Sequence, residues 1–201
     1  MDVAKKLAGA AARSWVTVVI AGAAGVAFAW PGLARSCIYE RADIAAGGVW
    51  RLWTGHLVHY NAGHLFWDLA VFLPAGMWLE SIRPGLARRF CLLAPPAISA
   101  ALFVCEPALT RYAGLSGLAT GLLVLLALVQ WRRDVRAPGW FWPAVLALVA
   151  LKIVLEAVSA EPLLARFEPG VRVVTLAHVA GVACAVVALL IGRLWPARRR
   201  A

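Results

Sequence analysis

The stretch Tyr112-Ala113-Gly114-Leu115-Ser116-Gly117-Leu118-Ala119-Thr120-Gly121 is the part of the sequence from which the fold is inferred. It opens an apolar run after a short polar break, and its serine lies between Gly114 and Gly117. A serine flanked by residues without bulk, at the start of a membrane helix, belongs either to a packing seam or to a nucleophilic site. The polar residues of the other apolar runs decide between these two interpretations.

The composition indicates a membrane protein. Of the 201 residues, 63 % are hydrophobic, and several apolar runs approach the length of about 20 residues that spans a bilayer. Because every backbone amide inside lipid needs an internal partner, each run is predicted to be a helix. We therefore predict an all-α polytopic membrane protein in which residues 1–201 form a single six-helix domain. The predicted spans are 14–33, 56–79, 88–106, 113–131, 141–158 and 173–195.

The charged residues and the cysteines exclude some other classes of protein. The net charge of +10 does not indicate nucleic-acid binding, because the charges lie at the edges of apolar runs and no soluble region could present a basic groove. The basic lead 1–13 precedes a run long enough to remain as an anchor, so no cleaved signal peptide is predicted. The four cysteines have no metal-ligand spacing and are interpreted as packing residues, with a Cys37–Cys105 disulfide as the alternative.

The distribution of Lys and Arg predicts the orientation. With the N-terminus in the cytoplasm, thirteen of these residues flank the cytoplasmic ends of the runs and six flank the opposite ends. The positive-inside rule therefore predicts that both termini are cytoplasmic, in agreement with an even number of spans.

This topology brings polar residues from three runs to one depth. The second, fourth and sixth runs all enter from the outer face, and their polar side chains fall within the first turns of each predicted helix. Polar groups inside a membrane are costly and usually face the bundle interior or a water-filled cavity. Their common depth therefore predicts a functional site in the outer half of the membrane. The residues are His56, His59, His64, Asp68, Ser116 and His178.

Small residues predict which helices pack closely. Gly117 and Gly121 are spaced four apart in the fourth run, and Ala177 and Gly181 have the same spacing in the sixth. Such residues let two membrane helices approach at backbone distance. A close crossing of these runs would bring the hydroxyl of Ser116 within reach of the imidazole that follows Ala177.

These residues, in this order, resemble the motifs of the rhomboid family of intramembrane serine proteases. The resemblance implies a six-helix rhomboid-like bundle over nearly the whole chain, and peptide hydrolysis that uses neither a cofactor nor a metal. The motifs are Trp50-Arg51 in the first outer loop, His59, His64 and position 68 in the second run, Gly114-Leu115-Ser116-Gly117 in the fourth, and Ala177-His178-Val179-Ala180-Gly181 in the sixth.

A finer resemblance is to the rhombosortase subgroup. It is carried by Tyr39-Glu40-Arg41, by the stretch from Trp50 to His59, and by Tyr112-Ala113 before the glycine-serine motif. The subgroup implies substrates that carry a C-terminal tail of a Gly-Gly motif, a membrane helix and basic residues. The chain departs from the subgroup after the motif, where it has Leu118-Ala119-Thr120-Gly121 and no histidine.

The resemblance also implies roles for individual residues. Ser116 would attack the scissile carbonyl and His178 would take its proton. No carboxylate accompanies His178 in the sixth run, so a dyad is predicted and a triad is not. The Ser116 amide at the helix start and the carried-over His64 are the predicted oxyanion donors, supported by Gly114. Structural roles near the site are assigned to His59, Trp50, Arg51, Gly117 and Gly181.

Asp68 departs from the family pattern, because family members usually carry Asn at this position. An ionised carboxylate only accepts hydrogen bonds and cannot replace an amide donor. Two interpretations follow: burial keeps Asp68 protonated and able to donate, or ionised Asp68 holds His64 as an imidazolium from its i+4 position. We favour the second.

The remaining residues of the first loop are interpreted as structural. His56 and His59 have an i, i+3 spacing, but the chain lacks the accompanying Glu and the ligand count of a zinc site, so no metal is predicted. His59 is expected to brace the first loop or the water cavity. Trp50 and Arg51 fit an anchor at the headgroup level, where Arg reaches lipid phosphates.

Lys152 and Glu156 lie four residues apart in the fifth run, which is unusual in a membrane helix. The favoured interpretation is an internal ion pair with partial snorkelling of the lysine. The alternative makes the fifth run a lateral gate whose polar face lines the path of the substrate.

The sequence thus predicts a multi-pass serine endopeptidase of a bacterial inner membrane that cuts membrane-anchored proteins near the periplasmic face. Its partners would be such substrates and the lipid bilayer, and the sequence does not define the oligomeric state. Three alternatives stay open: a general rhomboid protease with other substrates, a catalytically silent rhomboid-like protein that binds membrane helices, and a small transporter. The transporter is disfavoured because the chain shows no internal repeat.

Overall fold

The computed structural model describes residues 14–131, 133–134, 136–159 and 173–194. The basic lead 1–13, Arg132 and the arginines at 198–200, which contribute to the predicted orientation, lie outside the described residues. The long helices are α1 (Trp15–Ala29), α5 (Ala62–Ile82), α6 (Pro84–Cys105), α7 (Ser116–Gln130), α8 (Phe141–Ser159) and α9 (Thr175–Leu194). The short elements are α2 (Pro31–Cys37), β1 (Tyr39–Glu40), α3 (Arg41–Ala45), α4 (Arg51–Thr54), a 3₁₀ turn (Gly55–Leu57) and β2 (Arg111–Tyr112).

The helices have the length and composition of a membrane bundle. Among the described residues, α5, α6, α8 and the Thr175–Gly192 part of α9 are long and apolar enough to cross a bilayer. The pair α1 and α2, bent by 116°, gives a fifth segment if it is counted as one span, and α7 is a shorter apolar helix. The structure therefore agrees with an all-α membrane protein, and the count of six spans and the orientation of the termini stay predictions.

Two predicted helix boundaries are wrong. The first predicted run, 14–33, is not one helix, because α1 ends at Ala29 and Pro31 starts α2 in a new direction. The second run becomes helical only at Ala62, where the Asn61 side chain caps α5 by accepting a hydrogen bond from the His64 amide at 2.8 Å. His56 and His59 therefore lie in the preceding loop and not in the first turns of the helix.

A buried carboxylate joins the start of α1 to the end of α5. Glu80 is 1 % exposed and accepts hydrogen bonds from the Thr17 amide at 3.1 Å and the Thr17 hydroxyl at 3.0 Å. The Arg88 guanidinium of α6 donates to the same carboxylate at 3.0 Å. Negative charge at a helix N-terminus is stabilising because the first amides have no partner within the helix. This contact fixes the end of the bundle opposite to the starts of α5, α7 and α9.

The centre of the bundle is α7, whose side chains are mostly buried and which packs directly on α9. A Cβ atom placed on Gly117 would lie 2.8 Å from the Ala177 carbonyl oxygen, and one placed on Gly121 would lie 2.6 Å from the Gly181 carbonyl oxygen. Because both helices advance by four residues between the two contacts, they run parallel at the crossing. The predicted seam of small residues is confirmed.

We predict that Gly121→Ala destabilises the folded protein by about 1–3 kcal/mol, the range of overpacking substitutions. The added Cβ would meet the Gly181 carbonyl oxygen at 2.6 Å and the Phe90 Cζ atom at 2.7 Å, and the backbone of Gly181 cannot rotate away as a side chain could. Thermal unfolding of the detergent-purified protein measures the effect. Gly22→Ala in α1 is the matched control, because its Cβ would meet nothing within 4 Å. A melting temperature of Gly121→Ala equal to that of Gly22→Ala would contradict the prediction.

Candidate active site

The loop that precedes α7 lies against the first turns of α5. Gly114 has a φ of 121°, and a Cβ atom there would lie 2.6 Å from His64 Nε2 and 3.2 Å from Asp68 Oδ2. Both the backbone conformation and the close approach therefore require glycine at this position. As a result, the glycine-serine motif contacts the polar side chains that sequence analysis placed at the same depth.

A small sheet holds this loop in place. β1 and β2 pair antiparallel, with Tyr39 opposite Tyr112 and Glu40 opposite Arg111. The Tyr112 hydroxyl donates to the Gly114 carbonyl at 3.1 Å, and the Gly114 amide donates to the Gly55 carbonyl at 3.4 Å. The segment that leads into Ser116 is thereby attached to the first loop by backbone contacts on both sides.

Arg51 braces the first loop from within. Its guanidinium donates to the Ile38 carbonyl at 2.6 Å and forms an ion pair with Asp43 at 2.7 Å, and its side chain is 11 % exposed. The indole N–H of Trp50 donates to the Ser36 carbonyl at 3.1 Å. Both terminal nitrogens of the Arg51 guanidinium thus contact protein oxygens, in agreement with a structural role, and the predicted contact with lipid phosphates stays a prediction.

His56 links the first loop to α6. Its Nε2 lies 3.0 Å from the Pro95 carbonyl oxygen and 3.1 Å from the Ser99 hydroxyl. The carbonyl only accepts, so Nε2 carries the proton and donates it. Burial lowers the pKa of His56 from 6.5 to about 4, and the ring is neutral at neutral pH. The ring packs edge-on against Tyr112 at 5.3 Å between centroids, which gives His56 a structural role next to the serine loop.

His59, His64 and Asp68 form a buried cluster. His59 Nδ1 lies 3.1 Å from the Leu57 carbonyl oxygen, to which it must donate, and His59 Nε2 lies 3.1 Å from Asp68 Oδ2. His64 Nε2 lies 3.4 Å from the same oxygen. The Nδ1 proton of His59 is donated to Leu57. A hydrogen bond between His59 Nε2 and Asp68 Oδ2 therefore requires another proton, carried by either the imidazole or the carboxyl group. Asp68 therefore contacts both histidines, whereas sequence analysis paired it with His64 alone.

The same cluster has the composition of a metal site. The ligand atoms of His59, His64 and Asp68 all lie within 4.8 Å of one another, and two imidazoles with one carboxylate are a ligand set that zinc accepts. The His56–His59 pair considered from the sequence is not the relevant one, because His56 faces Pro95 and Ser99. A proton between His59 and Asp68 satisfies the geometry without a metal, so the absence of a metal stays a prediction.

Ser116 and His178 flank the closest approach of α7 and α9. Ser116 is the first residue of α7 and precedes Gly117, while His178 follows Ala177 in the first turn of α9 and is 3 % exposed. Within the described ranges no direct hydrogen bond joins Ser116 to His178. In apo structures, contacts between a nucleophile and its base are often long and tighten when substrate binds.

Glu156 contacts His178 across the interface of α8 and α9. Its Oε2 atom lies 3.2 Å from His178 Nδ1 and 2.6 Å from Lys152 Nζ, and Glu156 is 4 % exposed. The predicted Lys152–Glu156 ion pair is confirmed, but sequence analysis missed the histidine. The predicted topology could have indicated this contact. The fifth run is antiparallel to the sixth, so the last turn of α8, with Glu156, is expected at the level of the first turn of α9, with His178.

The family model of the Rhomboid domain matches residues 46–194, which include the first loop and every helix from α4 to α9. The chain belongs to the rhomboid family. Rhomboid proteins are intramembrane serine proteases, and the apolar helices agree with a multi-pass membrane protein. A search of curated proteins found no similar sequence.

Family membership confirms the resemblance at the level of the rhomboid family. The match does not extend to the rhombosortase subgroup, which remains an inference from the motifs of the first loop and of the serine stretch. The roles of the individual site residues likewise remain predictions, which the geometry above makes specific enough to test.

Proposed function

We propose that this rhomboid protein is an active serine endopeptidase in which Ser116 is the nucleophile and His178 the general base. The observation that supports the proposal is the backbone contact of Gly117 with Ala177, because Ser116 precedes the first of these residues and His178 follows the second, at the start of two parallel helices. A buried imidazole beside an accessible serine hydroxyl is the arrangement that activates a weak nucleophile. Ser116 is partly exposed and His178 is buried, in agreement with these roles.

The reaction follows from these positions. The Ser116 Oγ–H proton passes to Nε2 of His178 while Oγ bonds to the scissile carbonyl carbon, and the carbonyl oxygen takes the negative charge. The imidazolium then gives its proton to the leaving amine as the peptide C–N bond breaks. Water, activated by the same histidine, hydrolyses the resulting ester and frees Ser116.

The oxyanion would be stabilised from two sides of the serine. The Ser116 amide belongs to the first turn of α7, where backbone N–H groups have no partner within the helix and favour negative charge. His64 supplies the second donor from α5, and Gly114 permits its approach because a side chain there would overlap Nε2. In this proposal Asp68 is ionised and raises the strength of the His64 donor.

The site would open to the periplasmic side of a bacterial inner membrane, where the positive-inside rule puts the starts of the second, fourth and sixth runs. A peptide bond must leave its helix to enter such a site, so residues of low helix propensity near the cut favour cleavage. Gly-Gly at the head of a C-terminal membrane helix meets this requirement. We therefore propose proteins with a Gly-Gly, helix and basic tail as the substrates.

One observation favours a second function, a silent protein that binds membrane helices. Asp68 stands where the family usually has Asn, and a carboxylate within 3.4 Å of His64 adds negative charge near the proposed oxyanion site. The intact serine and histidine argue for activity, and the first experiment below distinguishes the two functions.

We predict that a fluorophosphonate serine probe labels the detergent-purified protein and that labelling is lost in Ser116→Ala and His178→Ala. The reaction needs both an accessible hydroxyl and a base, so either substitution removes it. Gel fluorescence measures labelling, with thermal unfolding of each variant as the control for folding. Folded wild-type protein that stays unlabelled beside an active serine hydrolase would contradict the protease function and favour the silent protein.

We predict that Asp68→Asn slows labelling by about fivefold to tenfold. An ionised partner strengthens a hydrogen bond by about 1 kcal/mol over a neutral one, and 1.4 kcal/mol corresponds to a factor of ten in rate. The Asn amide can still donate to His59 Nε2, so the cluster keeps its shape. The rate constant of probe labelling measures the effect, and a rate equal to or above that of the wild type would show that Asp68 does not assist His64.

We predict that the protein, reconstituted in liposomes, cleaves a reporter that ends in Gly-Gly, an apolar helix and an arginine cluster. A matched reporter with Leu-Leu in place of Gly-Gly should be cleaved at least tenfold more slowly, because leucine stabilises the helix that must unwind. Immunoblotting of the released fragment measures cleavage, with Ser116→Ala as the inactive control. Equal cleavage of both reporters would favour a general rhomboid protease.

A further inference from the structure

We propose that Glu156 is the positioning carboxylate of His178, so that serine and histidine act together with an acidic third residue. The inference rests on the proposed function and goes beyond the predicted dyad. It also gives the fifth predicted span, for which sequence analysis considered only an ion pair or a gate, a direct part in the chemistry.

Glu156 and His178 are in direct contact inside the bundle. Glu156 Oε2 lies 3.2 Å from His178 Nδ1, and the two side chains are each 4 % exposed. The carboxylate oxygen lies off the direction of the ring N–H bond, so the contact is a close approach of the carboxylate to the ring and not an aligned hydrogen bond. With Nδ1 facing the carboxylate, Nε2 on the far side of the ring is left to act on the serine.

Burial of the Glu156 carboxylate costs free energy that a structural ion pair would not require. A surface ion pair with Lys152 would need no burial, and the lysine side chain is indeed 27 % exposed. The carboxylate instead extends into the bundle beneath His178, where removal from water is costly unless charge compensates it. During the proposed reaction the imidazole of His178 becomes positive. Its charge then compensates the negative charge of the buried Glu156 carboxylate, and the carboxylate in turn stabilises the imidazolium.

Lys152 contacts the same carboxylate oxygen as His178. Its Nζ lies 2.6 Å from the same Oε2 atom that faces His178. The ammonium keeps the carboxylate compensated while the imidazole is neutral, and one helical turn separates the two residues on α8. Lys152 therefore holds Glu156 in place between catalytic cycles without contacting the reacting atoms.

The protons are conserved in this scheme. The Ser116 proton moves to His178 Nε2, which makes the ring an imidazolium that keeps its own Nδ1 proton facing Glu156. Glu156 stays ionised throughout and takes no proton, since its role is to hold the ring in the Nδ1–H tautomer and to stabilise the positive charge. The Nε2 proton then leaves with the amine.

The test compares Glu156→Gln with the matched variant Glu80→Gln in the same membrane bundle. Both replace a buried, paired glutamate with an isosteric amide, but Glu80 lies at the opposite end, bonded to Thr17 and Arg88. The rate of inactivation by the fluorophosphonate probe is measured against probe concentration, which separates the limiting rate from the apparent binding constant. Thermal unfolding is measured for each variant.

We expect Glu156→Gln to lower the limiting inactivation rate about tenfold to a hundredfold, which at most reaches the lower limit of the range for general base catalysis because the base itself is kept. The apparent binding constant should change by less than about twofold. Glu80→Gln should keep the wild-type rate even where its melting temperature falls. A wild-type limiting rate in Glu156→Gln would overturn the inference, as would equal losses of rate in the two variants.

A second measurement needs no variant of Glu156. Nitrogen NMR of ¹⁵N-histidine-labelled protein, with the signal assigned by its loss in His178→Ala, reports which ring nitrogen carries the proton. The inference requires the Nδ1–H tautomer in the wild-type protein, and an Nε2–H tautomer would overturn it. If the wild type labels and Ser116→Ala does not, a failed Glu156 test leaves the protease function intact; an unlabelled wild type overturns both proposals.

Discussion

The architecture depends on the contact between the backbones of α7 and α9. At Gly117, Gly121 and Gly181 the two helices approach so closely that a methyl group would overlap a carbonyl oxygen or the backbone of the other helix. In a membrane the lipid tails are as apolar as the helix surfaces, so the hydrophobic effect does not drive helices together. Close packing of this kind takes its place. Because the contact lies at the starts of both helices, it also brings together the segments that contain Ser116 and His178. The fold and the proposed catalytic pair thus depend on the same glycines.

Two carboxylate–histidine clusters lie near the serine. On the α5 side Asp68 contacts His59 and His64, and on the α8 side Glu156 contacts His178. Buried carboxylates are tolerated where partners compensate the charge. At the opposite end Glu80 is compensated by permanent donors, the amides of α1 and an arginine. Near the serine the partners are imidazoles, and this difference separates the end of the bundle with the proposed site from the opposite end.

The sequence was sufficient to predict the helical class, the seam of small residues and the Lys152–Glu156 ion pair. These depend on composition and on spacing within one helix, which a sequence contains directly. It was insufficient for the polar side-chain contacts that join separate elements. Asp68 meets His59 only because the chain turns at Asn61, and Glu156 meets His178 only because α8 packs beside α9. The cap at Asn61 has a recognisable residue type, whereas the rotation of α8 about its axis has no signature in a single sequence.

The length of α7 explains why a polar site belongs at its start. Its 15 residues extend for about 22 Å, less than the roughly 30 Å of a hydrocarbon core. If α7 is the predicted fourth span, one of its ends lies below the membrane surface. The end at Gln130 leads into a polar loop in which Asp134 accepts hydrogen bonds from the Arg136 and Ala137 amides and from the Trp142 indole. Such a loop belongs at the headgroup level, where tryptophan is favoured. In the predicted topology the submerged end would be the one with Ser116, where the proposed hydrolysis requires water. Imidazole and carboxylate groups around the serine provide hydrogen-bonding partners that such water needs inside an apolar bundle.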